Sequence, residues 1–255
     1  MQYQIKHLGV GGILDHTVSL MKNHFGLFFG IVAATVVPVQ LIFGFIQMQL
    51  MSSTIAEIEQ GRMTELSRGT SFAILGLSLV LVIFVLPLAN AAVIYGVGST
   101  YLSRPTTVGA CLRQGLNRWG ALIWTTILMT IIIGLGFMLL IIPGIYFSFW
   151  YILSQDVTVL EGTSGGAALK RSKALTKGNL NTLFILLLLV GVINYAITFA
   201  AQMIPQPHVS LVVGALVQGV LTVFGTCALV VFYFSARCKL ENFDLQLLAD
   251  AVEET

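Results

Sequence analysis

Apolar positions in this chain rarely alternate with polar ones. They run on for the length of a helix and then stop. Six such runs stand out: Phe25–Gln49, Phe72–Ser99, Gly120–Ile142, Gly144–Val159, Leu180–Ile204 and Val209–Ala236. A hydrocarbon layer about 30 Å thick needs about 20 apolar helical residues, so the pattern predicts an all-α, polytopic membrane protein with six transmembrane helices. The fourth run is short and closes on Gln155 and Asp156. Only Pro143-Gly144 separates it from the third. Proline brings no amide donor and glycine accepts positive φ, so the pair predicts a tight turn between two antiparallel helices. Read as one helix, the two runs would be too long for a single crossing.

Each pair of runs is preceded by a short segment whose apolar residues recur at helical spacing. These segments cover approximately 11–23, 107–118 and 164–177. On a helical wheel of about 100° per residue, Ile13, Thr17, Leu20 and Met21 share a face opposite Asp15 and Lys22. In the second segment, Val108, Leu112, Leu116 and Trp119 oppose Arg113 and Asn117. In the third, Ala168, Ser172 and Leu175 oppose Lys170, Lys173 and Lys177. The expected architecture is a single integral membrane domain over 1–255. It consists of three hairpins, each preceded by an amphipathic helix lying on the cytoplasmic leaflet. Lys22, Arg113, Lys170, Lys173 and Lys177 are then the expected contacts to anionic lipid headgroups.

Charge sets the orientation. Hydrophobic residues make up 56% of the chain, charged residues 9%, and the mean hydropathy is +0.91. Of the 13 Lys and Arg, 11 fall in alternate gaps between the runs; only Arg62 and Arg68 fall in the other set, beside Glu57, Glu59 and Glu65. Basic loops stay on the cytoplasmic side, so both termini are expected there. Met1–Asn23 has no apolar stretch and no small-residue cleavage site, so no cleaved signal is expected. Lys and Arg are spread over four segments rather than gathered in one stripe, which argues against nucleic acid as a partner. Cys111, Cys227 and Cys238 have no ligand spacing and are expected to be reduced and structural.

Ionisable residues inside a membrane are functional candidates by default, and here they are few. Asp156 and Glu161 close the fourth run. Arg171 sits at the edge of the apolar face of its helix, unlike the neighbouring lysines, so it is expected to turn inward and pair with Asp156 or Glu161. Asn90, Asn194 and Gln218 lie within the runs. Such amides either line a solute path or join helices through hydrogen bonds. The small-residue pairs Gly26…Gly30, Ala92…Gly96 and Ala215…Gly219 allow close helix contact. No metal-binding, nucleotide-binding or nucleophile motif occurs. An enzyme is not expected, and no cofactor is.

The stretch P-G-I-Y at Pro143–Tyr146, then D-V-T-V-L-E-G at Asp156–Gly162 and A-L-K-R-S-K-A-L-T-K-G-N at Ala168–Asn179, resembles the YciC family of bacterial inner-membrane proteins. It is also similar to the membrane domain that accompanies some glycerophosphoryl diester phosphodiesterases. G-G-I-L-D-H-T-V-S-L-M-K-N-H-F near the N-terminus and F-Y-F-S-A-R-C-K-L-E-N-F-D-L near the C-terminus fit the same group. The resemblance implies a bacterial inner-membrane location but no activity, since the phosphodiesterase barrel has no counterpart here. The function expected is that of a non-catalytic subunit or scaffold of membrane machinery, with membrane lipids and either a membrane-protein partner or further copies of itself as partners. The alternative is a transporter or flippase for a small amphiphile or lipid.

Overall fold

The structure is a computed structural model, and it describes residues 6–59, 69, 72–73, 76–77, 86–203 and 206–245. It is all-helical. In chain order the helices are α1 (Val10–Asn23), α2 (Phe25–Glu59), α3 (Leu86–Tyr101), α4 (Val108–Leu139), α5 (Ile141–Tyr151), α6 (Ser154–Leu160), α7 (Gly165–Lys177), α8 (Leu180–Gln202) and α9 (Pro207–Glu241). Four of them are long and apolar enough to cross a membrane: Phe25–Gln49 in α2, Val108–Leu139 in α4, Leu180–Ala201 in α8 and Val209–Glu241 in α9. Much of the second predicted run, 72–99, lies outside the described residues; its described end is α3.

The core gathers around the C-terminal half of α9. Every residue from Val230 to Ala236 is buried, so α9 is enclosed on all sides there, by α1, α2, α3, α7 and α8. Its Ser235 hydroxyl accepts from the Leu8 amide at 2.8 Å, which ties the segment before α1 to this core. Tyr101 stacks on Phe234 with ring centroids 5.3 Å apart and meets His16 Nδ1 at 3.2 Å. Small residues set the close approaches. A Cβ on Gly219 would lie 2.4 Å from Val32, and one on Gly30 would lie 2.9 Å from Val108. Gly26, by contrast, faces open space.

The turn between the third and fourth runs comes earlier than Pro143-Gly144. α4 ends at Leu139, Leu140 alone is extended (φ −159°, ψ 147°), and α5 begins at Ile141. The reason is steric. A proline ring clashes with the carbonyl four residues before it, which here is that of Leu139. In the first turn of a new helix, the missing amide costs nothing. Gly144 instead serves the packing: a Cβ there would meet Phe137 Cγ at 2.5 Å and the Phe137 backbone nitrogen at 2.8 Å.

Two further expectations need correcting. The predicted fourth run, 144–159, is not one helix. It breaks at Ile152–Leu153 into α5 and α6. The second interfacial helix, 107–118, is not separate from the third run: α4 is continuous from Val108 to Leu139, about 48 Å at about 1.5 Å per residue. Nothing stops it, since Trp119-Gly120 supplies neither a proline nor a positive φ. The face it buries is also rotated from the predicted one. Cys111, Gly115 and Leu122 are buried, whereas Leu116 and Trp119 are exposed. Gly115 decides this, because a Cβ there would press on the α3 backbone, 3.3 Å from the Leu88 carbonyl oxygen. The other two amphipathic helices fit their predicted faces. Ile13, Thr17 and Leu20 are buried in α1, and Ala168, Ser172 and Leu175 in α7. α2 runs ten residues past its predicted end, through Ser53 and Thr54 to Glu59.

Candidate functional site

Among the described helices α7 carries the most charged side chains, and the structure fixes how it sits. Ser164 is its N-cap residue, and Gly162 and Gly165 take positive φ (77° and 59°), a backbone that favours glycine. These two glycines turn the chain from α6 into α7 within four residues. A side chain at Gly162 would also meet the Arg118 guanidinium at 2.9 Å. That guanidinium donates to the Gly162 carbonyl at 3.3 Å.

Arg171 turns inward, as predicted. Its Nε donates to both carboxylate oxygens of Glu161 at 3.0 Å, and its Nη1 pairs with Glu241 on α9. The expected alternative, Asp156, is not its partner. Asp156 is almost fully buried on α6, and among the described residues no ion pair reaches it. Glu161 also accepts from the Tyr233 hydroxyl at 2.7 Å, and Glu241 accepts from Arg237 Nε at 3.1 Å. Arg237 in turn lies 3.9 Å from the Phe243 ring centroid. The result is a clamp of two guanidiniums and two carboxylates with no net charge. It joins the end of α6, the middle of α7 and the end of α9. Glu241, with its hydrogen bond, and Glu161 both hold the Arg171 guanidinium in its charged form, well above the usual arginine range.

Glu241, Arg237 and Tyr233 went unrecognised in the sequence. The available signal was their spacing of four, which places all three on one face of α9.

The clamp fixes the rotation of α7. With Arg171 held inward, Lys170 and Lys177 are exposed. Lys173 instead lies 3.9 Å above the Trp150 ring of α5. Ser172 and Thr176 donate to the Trp150 carbonyl at 2.7 and 3.3 Å. Lys22 and Arg113 are exposed on α1 and α4. At the start of α8, Lys239 donates to Asn179 Oδ1 at 2.8 Å and to the Gly178 carbonyl at 3.1 Å.

Below the clamp runs a buried polar seam. Asn90 on α3 donates to Gln155 at 3.4 Å, and Gln155 donates to Thr126 at 3.3 Å. Thr125 accepts from Thr158 at 3.3 Å and from the Gly165 amide at 2.8 Å. Of the three amides singled out in the sequence, Asn90 alone bonds between helices among the described residues. Asn194 donates to the Val190 carbonyl of its own helix at 2.9 Å, and the Gln218 backbone carbonyl accepts from Thr222 of its own helix at 2.8 Å. Thr125→Val keeps the volume but strands the Gly165 amide. The expected loss is about 1–2 kcal/mol, read as a lower midpoint of thermal unfolding in detergent. The exposed Thr130→Val serves as the neutral control.

A family model described as "Domain of unknown function (DUF8558)" matches residues 116–254, more than half of the chain. No curated protein matches the chain, and no solved structure does. The four clamp residues (Glu161, Arg171, Arg237 and Glu241) and Tyr233 beside them lie within the matched stretch.

Proposed function

The chain belongs to the DUF8558 family, and we propose that it is a non-catalytic multi-pass protein of the bacterial inner membrane. In this reading it is a lipid- or partner-contacting subunit that supports other membrane machinery. The helices enter as three hairpins with both termini in the cytoplasm, and the motif likeness to YciC proteins belongs to the same proposal. The observation that carries it is the rotation of α7: a neutral clamp holds Arg171 inward, and Lys170 and Lys177 are left facing outward. Near an anionic leaflet each such lysine contributes about 1 kcal/mol.

The test is purification in mild detergent followed by native mass spectrometry of lipids and proteins together. Retained anionic lipid or a stoichiometric protein partner is the expected result. Lys170→Ala combined with Lys177→Ala should weaken retention of anionic lipid about 10- to 30-fold without changing the unfolding temperature. Unchanged retention would remove the lipid-contact reading.

The second reading, a transporter or flippase for a small amphiphile or lipid, is favoured by the seam of Asn90, Gln155 and Thr126. It requires Asn90→Ala to abolish flux in proteoliposomes while the protein remains folded.

A further inference from the structure

The hairpin of α4 and α5 carries a tip whose sequence differs from that of the other two links expected on the outer side. From Gly134 to Ile145 there is no polar side chain. Met138 to Ile142, all with apolar side chains, are 68–85% exposed. The link between the first two runs is rich in Ser, Thr, Glu and Arg, and the link from α8 to α9 carries Gln202, Gln206 and His208. A loop that reaches water has use for such residues. This tip has none.

Its depth can be gauged against α8. Phe149 of α5 meets Phe184 of α8 with ring centroids 5.9 Å apart, so the two helices are level there. From residue 184 to residue 202, α8 climbs about 27 Å at about 1.5 Å per residue. From residue 149 back to residue 141, α5 climbs only about 12 Å. The tip therefore stops about 15 Å short of the far end of α8, near half the thickness of a hydrocarbon layer of about 30 Å. Tilt of the hairpin makes it shallower still. The near boundary is set independently by α7, whose Lys173 lies on Trp150 and whose Lys170 and Lys177 are exposed; these ammonium groups mark headgroup depth.

We infer that the α4–α5 hairpin is re-entrant: its tip, Met138–Ile142, ends among the acyl chains near the bilayer midplane and never reaches the far aqueous phase. The backbone suits that place better than an ordinary loop would. The turn is a single residue, the Leu140 amide donates to the Gly136 carbonyl at 3.1 Å, and Pro143 brings no donor. Irregular backbone in hydrocarbon is costly; here it is confined to Leu140, and the last carbonyls of α4 and first amides of α5 bear that cost. The surface the hairpin offers fits the acyl chains of one leaflet, the leaflet on the basic side. This inference refines the middle hairpin of the proposed topology and rests on that proposal for its sidedness alone.

The test uses the full chain in native membranes and in proteoliposomes. Cysteine is introduced singly as Met138→Cys, Leu140→Cys and, as a far-link reporter, Gln206→Cys. The buried native cysteines supply the background. A membrane-impermeant maleimide should label Gln206→Cys from one side. It should label neither tip variant from either side until detergent is added. A nitroxide on Leu140→Cys should collide with oxygen far more often than with a water-soluble nickel chelate, as at the bilayer centre. Labelling of Leu140→Cys from the same side and at the same rate as Gln206→Cys, or nickel accessibility equal to that of Gln206→Cys, would overturn the inference. If Gln206→Cys labels from the cytoplasmic side, the proposed orientation falls, and the nitroxide depth still decides the hairpin.

Discussion

Arg171→Glu should cost the protein about 3 kcal/mol of stability, the largest loss expected of any single charge change. Three carboxylates would then meet where two guanidiniums now balance two carboxylates. The side chains are only 19–27% exposed, so water screens the repulsion less than it would at a free surface. Removing one partner from a fully buried pair typically costs about 3–5 kcal/mol, and fully exposed pairs are worth about 0–1. Arg171→Met separates the two contributions, since it removes the attraction without adding a charge and should lose about half as much. Arg171→Glu together with Glu161→Arg restores one attraction across the α6–α7 link and should recover a clear part of the lost unfolding temperature in detergent. No recovery would mean that the clamp does not hold α7 in place.

Gly144→Val should open the hairpin. Its Cβ would stand 2.8 Å from the Phe137 backbone nitrogen, and a backbone atom inside a helix cannot step aside as a side-chain tip can. Overpacking at such a contact costs about 3 kcal/mol, and the separation of α4 from α5 should grow. Spin labels at Leu135→Cys and Tyr146→Cys would report a longer and broader distance distribution. Gly134→Val is the control, because a Cβ there meets nothing within 4 Å; its hairpin should stay closed. If both variants behaved alike, glycine at 144 would not be what allows the two helices to touch.

The sequence pattern was most informative where a single physical cause acts. Length and apolarity alone picked out the cores of α2, α8 and α9 within a few residues. The inward turn of Arg171 followed from its place on the wheel, because a charge between an apolar face and a row of lysines has only the protein to turn to. Hydropathy was a poor guide to where helices stop. It cannot see that a proline acts on the carbonyl four residues earlier, so the turn at Leu140 was placed too late. Nor can it see that Val108–Leu139 has no stop signal inside it, so one helix was divided into two. The second face was misjudged for a related reason. A wheel ranks side chains by apolarity, whereas close packing on α3 selected the small residues Cys111 and Gly115 and left Leu116 and Trp119 outside. Glu241, the second partner of Arg171, comes from a residue 70 positions away, and no local pattern announces such a contact.

The unbroken run of α4 has a mechanical consequence. A helix without a proline or a break bends only gently, so Val108–Leu139 moves as one lever. Its Arg113 end is exposed, its middle is held by Gly115 against α3 and by Arg118, Thr125 and Thr126 against α6 and α7, and its other end carries the apolar tip. A stiff rod gripped in its middle transmits a push at Arg113 to α6 and α7 through those contacts before any of it reaches Leu140.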